Sequence, residues 1–140
     1  MLPFLRDQWG NPSSLYGFGR QVRDAIETAR ESVAELIGSN PSEIVFTSCG
    51  TESTNTALFS AMLNDPAKRH FLMSSVEHAA TLQTGDVLRA QGVDVDEVPV
   101  DSSGVVDLDR LEDSIRAETA MVSVMWANNE TGVISPVVEI

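Results

Sequence analysis

The 140-residue chain contains one cysteine, Cys49. No intramolecular disulfide can form, and a zinc centre built from several cysteines is excluded; the simplest compartment for such a chain is a reducing one. Basic residues are also scarce, nine against 21 acidic, for a formal charge of -12. That balance repels a phosphate backbone and argues against nucleic-acid binding. Lys68 is the only lysine among the basic residues. Long apolar runs are missing too. Stretches such as Ala120 to Ala127, with Ser123 inside, are strand-sized, against the roughly 20 residues that span a bilayer. Met1 to Trp9 carry Pro3, Arg6 and Asp7 and lack the features of a secretory signal. A cytoplasmic location without membrane attachment is the expectation.

What is present is ordinary for a globular protein: 42% apolar and 21% charged residues, in a length that suits one domain. No internal repeat or low-complexity segment interrupts it. Gly10 to Ser14 forms a turn cluster, after which Val22, Ala25, Ile26, Ala29, Val33, Leu36 and Ile37 recur at helical spacing until Gly38. Asn40, Pro41 and Glu43 have the cap, first-turn proline and third-position acid of a short helical turn, leading into Ile44 to Thr47, which reads as a buried strand. A helix is expected from Thr51 to about Leu63, a strand from Phe71 to Val76, and a helix from Ala79 to Ala90 ended by Gly92. Val93 to Val100 alternates as an edge or half-buried strand, Asp107 caps a helix carrying Leu108, Leu111 and Ile115, and Met121 to Trp126 forms another strand. Strands separated by helices build a largely parallel sheet with helices on both faces, so the fold class is α/β. Ligands of such sheets gather beyond the carboxyl ends of the strands, which directs attention to the residues after Thr47, Ser75 and Trp126.

Three polar segments stand there. SCGTES, Ser48 to Ser53, puts Gly50 and several hydroxyls at a helix start, where unpaired amides and a partial positive charge attract anions and Thr51 can donate to an oxyanion. It reads as a phosphate cradle or as a plain helix cap; it has neither the lysine of a Walker loop nor the three glycines of a dinucleotide fingerprint. In VEHAA, His78 follows Glu77 at another helix start, where an imidazole can lie on an aromatic ligand and move protons, or serve structure alone. His70, ahead of its own strand, is assigned to structure or solvent. WANNETG, Trp126 to Gly132, offers asparagine amides to a ligand oxygen, or is a turn with asparagine in left-handed positions. Cys49 sits where a helix start lowers a thiol pKa, but has no adjacent histidine, and the preferred reading is a small buried residue.

Taken in series, GNPSSLYGFGR (Gly10 to Arg20), EIVFTSCGTES (Glu43 to Ser53), VEHAA (Val76 to Ala80) and VSVMWANNETG (Val122 to Gly132) resemble the cysteine desulfurases over essentially the whole chain. The SCGTES and MWANNETG forms are similar to the NifS branch. The resemblance implies a fold type I pyridoxal 5'-phosphate enzyme of the class V aminotransferase superfamily, a homodimer. Its reaction takes sulfur from L-cysteine, releases L-alanine and leaves a persulfide for an iron–sulfur scaffold or other acceptor protein. It further implies that Gly50 and Thr51 bind the cofactor phosphate, that His78 stacks on the pyridine ring and assists proton transfer, and that Asn129 bonds the phenolic oxygen, with Asn128 a turn or supporting residue. By the same resemblance, residues 1–140 are the N-terminal portion of the cofactor-binding large domain. Met1 is then an internal methionine, and the Schiff-base lysine and persulfide cysteine lie beyond Ile140, so that the chain alone is inactive. Lys68, in the polar stretch PAKRH, does not match the cofactor lysine. Alternatives are another enzyme of the fold, such as a selenocysteine lyase or class V aminotransferase, and a non-catalytic phosphate-binding or assembly module.

Overall fold

The computed structural model describes residues 1–140. They divide into two compact units, Met1–Phe46 and Thr47–Ile140.

The first unit holds α1 (Leu2–Arg6), which the sequence reading had not anticipated, and α2 (Gly17–Ile37). Gly38 stops α2 in a left-handed conformation, φ 70°, which glycine adopts without steric cost. The expected short turn forms at Pro41–Glu43, where Asn40 and Glu43 complete a capping box. The stripe of α2 is only partly covered: Val22, Ala25 and Ile26 are half-buried, whereas Leu36 and Ile37 are exposed, and the residue buried on this helix beside Gly19 is Ala34, outside the stripe.

The expected buried strand at Ile44 to Thr47 does not form. The residues are extended but pair with no strand, and Val45 is 74% exposed. A strand exists only through a ladder of backbone bonds; here the Ile44 carbonyl accepts from the Arg30 guanidinium instead, and that guanidinium lies over the Phe46 ring.

The second unit runs α3 (Gly50–Asn64), β1 (His70–Ser74), α4 (Ala79–Ala90), β2 (Asp94–Val98), α5 (Leu108–Ser114) and β3 (Thr119–Ser123). The strands form a parallel sheet in the order β2-β1-β3, Phe71 standing opposite Val95 on one side and Met121 on the other. Alternation along β1 serves both faces. Phe71 and Met73 pack with Leu58 of α3, Leu88 of α4 and Val95. Leu72 packs with Val98, Val106 and Leu111 of α5. The chain leaves β1 for β2 and then crosses back past β1 to β3; crossovers of one hand put α4 and α5 on opposite faces when the direction reverses. Complete burial of Phe71, Leu58 and Leu88 is worth about 1.5–3 kcal/mol per side chain. At Gly85 an added Cβ would fall 2.8 Å from Met73 Cε, so a side chain there would make the methionine end shift. β2 is half-buried: Val95 and Val98 point inward, while Asp94, Asp96 and Glu97 face solvent. No helix is long and apolar enough to cross a membrane.

Candidate functional site

Because the strands are parallel, the segments after β1 and β3 leave the same edge of the sheet. His78 follows β1 by four residues, and the Asn128–Gly132 loop follows β3. The two meet: Val76, Glu77, His78, Ala79, Asn128 and Asn129 line one hollow. Lys68 precedes β1 and therefore stands at the opposite edge, separated by at least the length of the strand, about 13 Å.

Asn128 makes the junction. Its Nδ2 donates to the Val76 carbonyl at 3.0 Å, while its Oδ1 accepts from the Glu130 and Thr131 amides and the Thr131 hydroxyl. Asn129 stands next to this braced turn with its side chain exposed. The alternative of left-handed asparagines is not what occurs: no residue other than glycine has positive φ, and Gly132, at φ 75°, takes the conformation that closes the loop. Asn128 shapes the turn through its side chain instead.

His78 is the N-cap of α4, and its Nδ1 accepts the Ala80 amide at 3.0 Å. The ring is exposed. His70 is structural as expected: it is buried, Nδ1 lies 2.8 Å from Thr119 Oγ1, and Nε2 lies 3.4 Å from an Asp96 carboxylate oxygen without hydrogen-bond geometry. Buried Glu77 accepts from the Ser74 hydroxyl at 3.2 Å and fixes the turn leading to His78.

The start of α3 is built differently. Cys49 is the N-cap but makes no capping hydrogen bond through its side chain. Glu52 turns back instead, accepting from the Ser48 amide and hydroxyl, both at 2.6 Å. The Ser48 hydroxyl, and then its amide, hold the Glu52 carboxyl below its ordinary pKa. Sequence reasoning had not singled out Glu52, although an acid four residues after a serine at a helix start is the signal that would have found it. Gly50 and Thr51 are exposed, and a Cβ at Gly50 would meet nothing within 4 Å, so there is room over the start of α3. Thr51 lines a shallow groove along α3 with Asn55 and Phe59. That groove shares no residue with the hollow at His78 and Asn129, although the Asn55 side chain accepts from Thr84 of α4 at 2.7 Å.

Cys49 is exposed, not buried as expected. Its thiol lies below the ordinary value, through the Glu52 amide first, then the Ser48 hydroxyl, with help from the Thr51 amide and against the Glu52 charge. The Ser48 hydroxyl has one hydrogen, and its 2.6 Å bond to the carboxylate competes with a 3.8 Å contact to sulfur; the amides are the physical cause that stands.

The family model described as Aminotransferase class-V matches residues 1–140. A cysteine desulfurase of Nostoc sp. is 50% identical over 140 residues, covering 100% of this chain and 35% of the relative. The cysteine desulfurase NifS of Azotobacter vinelandii is 48% identical, covering 99% of this chain and 35% of the relative. Among solved structures, one described as a NifS-like protein superposes with a TM-score of 0.91 at 44% identity, over 97% of this chain and 38% of that one. The chain thus spans about a third of the length of the relatives it matches.

Proposed function

This chain belongs to the aminotransferase class-V family, and from that premise we propose that it is the front portion of the cofactor-binding large domain of a pyridoxal 5'-phosphate-dependent cysteine desulfurase. The observation that carries the reading is the hollow that brings His78 and Asn129 together, and the exposure of Gly50 and Thr51 at the start of α3 supports it. The donor set fits a phosphorylated aromatic cofactor. The exposed helix start at Gly50 and the Thr51 hydroxyl suit the phosphate, the exposed imidazole of His78 suits an aromatic face, and the Asn129 side-chain amide suits a phenolic oxygen. When bound, that cofactor supplies an electron sink for bond cleavage in an amino-acid substrate.

The chain's own residues bind and orient. Gly50 admits the phosphate to the backbone, Thr51 adds a hydroxyl donor, and His78 covers the ring. Asn129 fixes the opposite group, held in place by its neighbour Asn128. The substrate in this reading is L-cysteine and the products are L-alanine and an enzyme persulfide. The sulfur passes to an iron–sulfur scaffold or another acceptor, and the active protein is a cytoplasmic homodimer. The Schiff-base lysine and the persulfide cysteine are supplied by other residues of the protein, since Lys68 stands at the wrong edge of the sheet and Cys49 lies within the phosphate cradle.

Two measurements test the proposal. In the protein that carries this segment together with the lysine and the mobile cysteine, L-cysteine should yield alanine and sulfide, and Gly50→Val should weaken cofactor binding in an absorbance titration. The purified 140-residue chain alone should produce no sulfide above a heat-killed control. Unchanged cofactor affinity in Gly50→Val, or cysteine turnover by the chain alone, contradicts the assignment.

A further inference from the structure

A backbone amide can only donate, so the 3.0 Å contact from Ala80 N to His78 Nδ1 requires that Nδ1 carry no proton. The neutral ring then bears its single hydrogen on Nε2, which can donate but has no lone pair to accept with. The next two amides of α4, Thr81 and Leu82, both bond the His78 carbonyl, at 2.9 and 3.2 Å. The Ala80 amide is therefore the one that depends on the imidazole.

We propose that proton uptake by His78 is coupled to the first turn of α4, the ring accepting a proton only by releasing the Ala80 amide. The imidazolium carries hydrogen on both nitrogens and offers no acceptor. The incoming proton forms a new N–H bond at Nδ1, the hydrogen bond from Ala80 breaks, and the ring gains one positive charge. Exchanging the tautomer to free Nε2 as a base breaks the same bond. The charged groups lining the hollow around the ring are Glu77 on the His78 side and Glu130 on the loop after β3. No basic side chain lines the hollow. On the reading of His78 as a cofactor-facing residue, the resting ring is a fixed hydrogen-bond donor, and any proton it abstracts comes with an opening of the helix start.

The test is amide exchange followed by NMR on the cofactor-free form of the protein that carries this segment, alongside the nitrogen shifts of the His78 ring. Protection of the Ala80 amide should fall about fivefold, the equilibrium equivalent of losing a helix cap, in step with ring protonation, with Thr81 and Leu82 unchanged. His78→Asn, whose side-chain oxygen caps at every pH, should show no such step. Ala80 protection that stays constant through the ring's titration, or a neutral ring with its hydrogen on Nδ1, overturns the proposal. Because cofactor takes no part in this readout, failure of the cofactor assignment would appear separately, as a missing absorbance change on titration.

Discussion

Two helices of the second unit begin in segments that carry candidate chemistry, and they treat their first amides in opposite ways. α4 is closed by the His78 ring. α3 has no side-chain capping hydrogen bond: its N-cap is Cys49, whose thiol faces the Glu52 and Thr51 amides, and the carboxylate of Glu52 is spent on Ser48. Unpaired amides at a helix start seek an anion, whereas a capped start has no such need and instead presents the capping side chain. On the proposed reading the difference divides the work between two similar places: charge recognition at α3 and presentation of a ring at α4.

The strongest way to break this comparison is to remove the ring. In the protein that carries the completing residues, His78→Ala should lower cysteine turnover on the order of 100-fold while cofactor stays bound, measured by alanine release beside the cofactor absorbance; normal turnover would reduce His78 to a cap. At the open start, Thr51→Ala should weaken cofactor phosphate binding about tenfold, the worth of one hydrogen bond to a charged group, with α4 untouched. Isothermal titration with pyridoxal 5'-phosphate checks this, and equal loss in Thr51→Ser would argue against the hydroxyl.

Asn128→Ala should cost about 1–2 kcal/mol of unfolding free energy, read from urea melts, because it strands the Val76 carbonyl and the Glu130 and Thr131 amides together. Smaller still is the pH response of α3. The folded Glu52 carboxyl is depressed by Ser48, so its support is complete above the ordinary glutamate pKa and drains away as pH falls toward the lowered folded value. Amide exchange at Ser48 should report that loss, and Ser48→Ala should abolish it. Cys49→Ala is expected to change least, leaving desulfurase activity and persulfide formation in place. In the unaltered protein, the exposed thiol should still alkylate at lower pH than free cysteine, as its depressed pKa requires.

Much of this was legible in the residues because the cues were local. The span of α4, Ala79–Ala90, follows from the histidine start and the Gly92 stop, and the Asp107 cap bonds the Arg110 amide as its position suggests. What failed depended on distant partners. Ile44 to Thr47 has the composition of a buried strand, yet no ladder partner meets it, and Arg30, which periodicity marks only as a polar helix position, takes the Ile44 carbonyl. The burial of Cys49 was misjudged because a cysteine's usual surroundings say little at a helix start that faces solvent. His78 and Asn129 were singled out by their place after strand ends, and the structure brings them to one hollow, whereas Gly50 and Thr51 were singled out behind a strand that does not form. That Asn128, rather than Asn129, joins the two segments was not, since two adjacent asparagines differ only in which one the turn directs toward Val76.

The tie from Asn128 to Val76 closes a separation of 52 residues, and this has a consequence in time. The three bonds that Asn128 Oδ1 accepts are local, so the loop can take shape as soon as its few residues are made. The Nδ2 bond must wait until α4, β2 and α5 have been traversed and β3 has reached β1, because the loop is delivered to Val76 only by that pairing. Loop closure of this length precedes any reward from the contact. The hollow between His78 and Asn129 is accordingly expected to assemble with or after the pairing of β3 to β1.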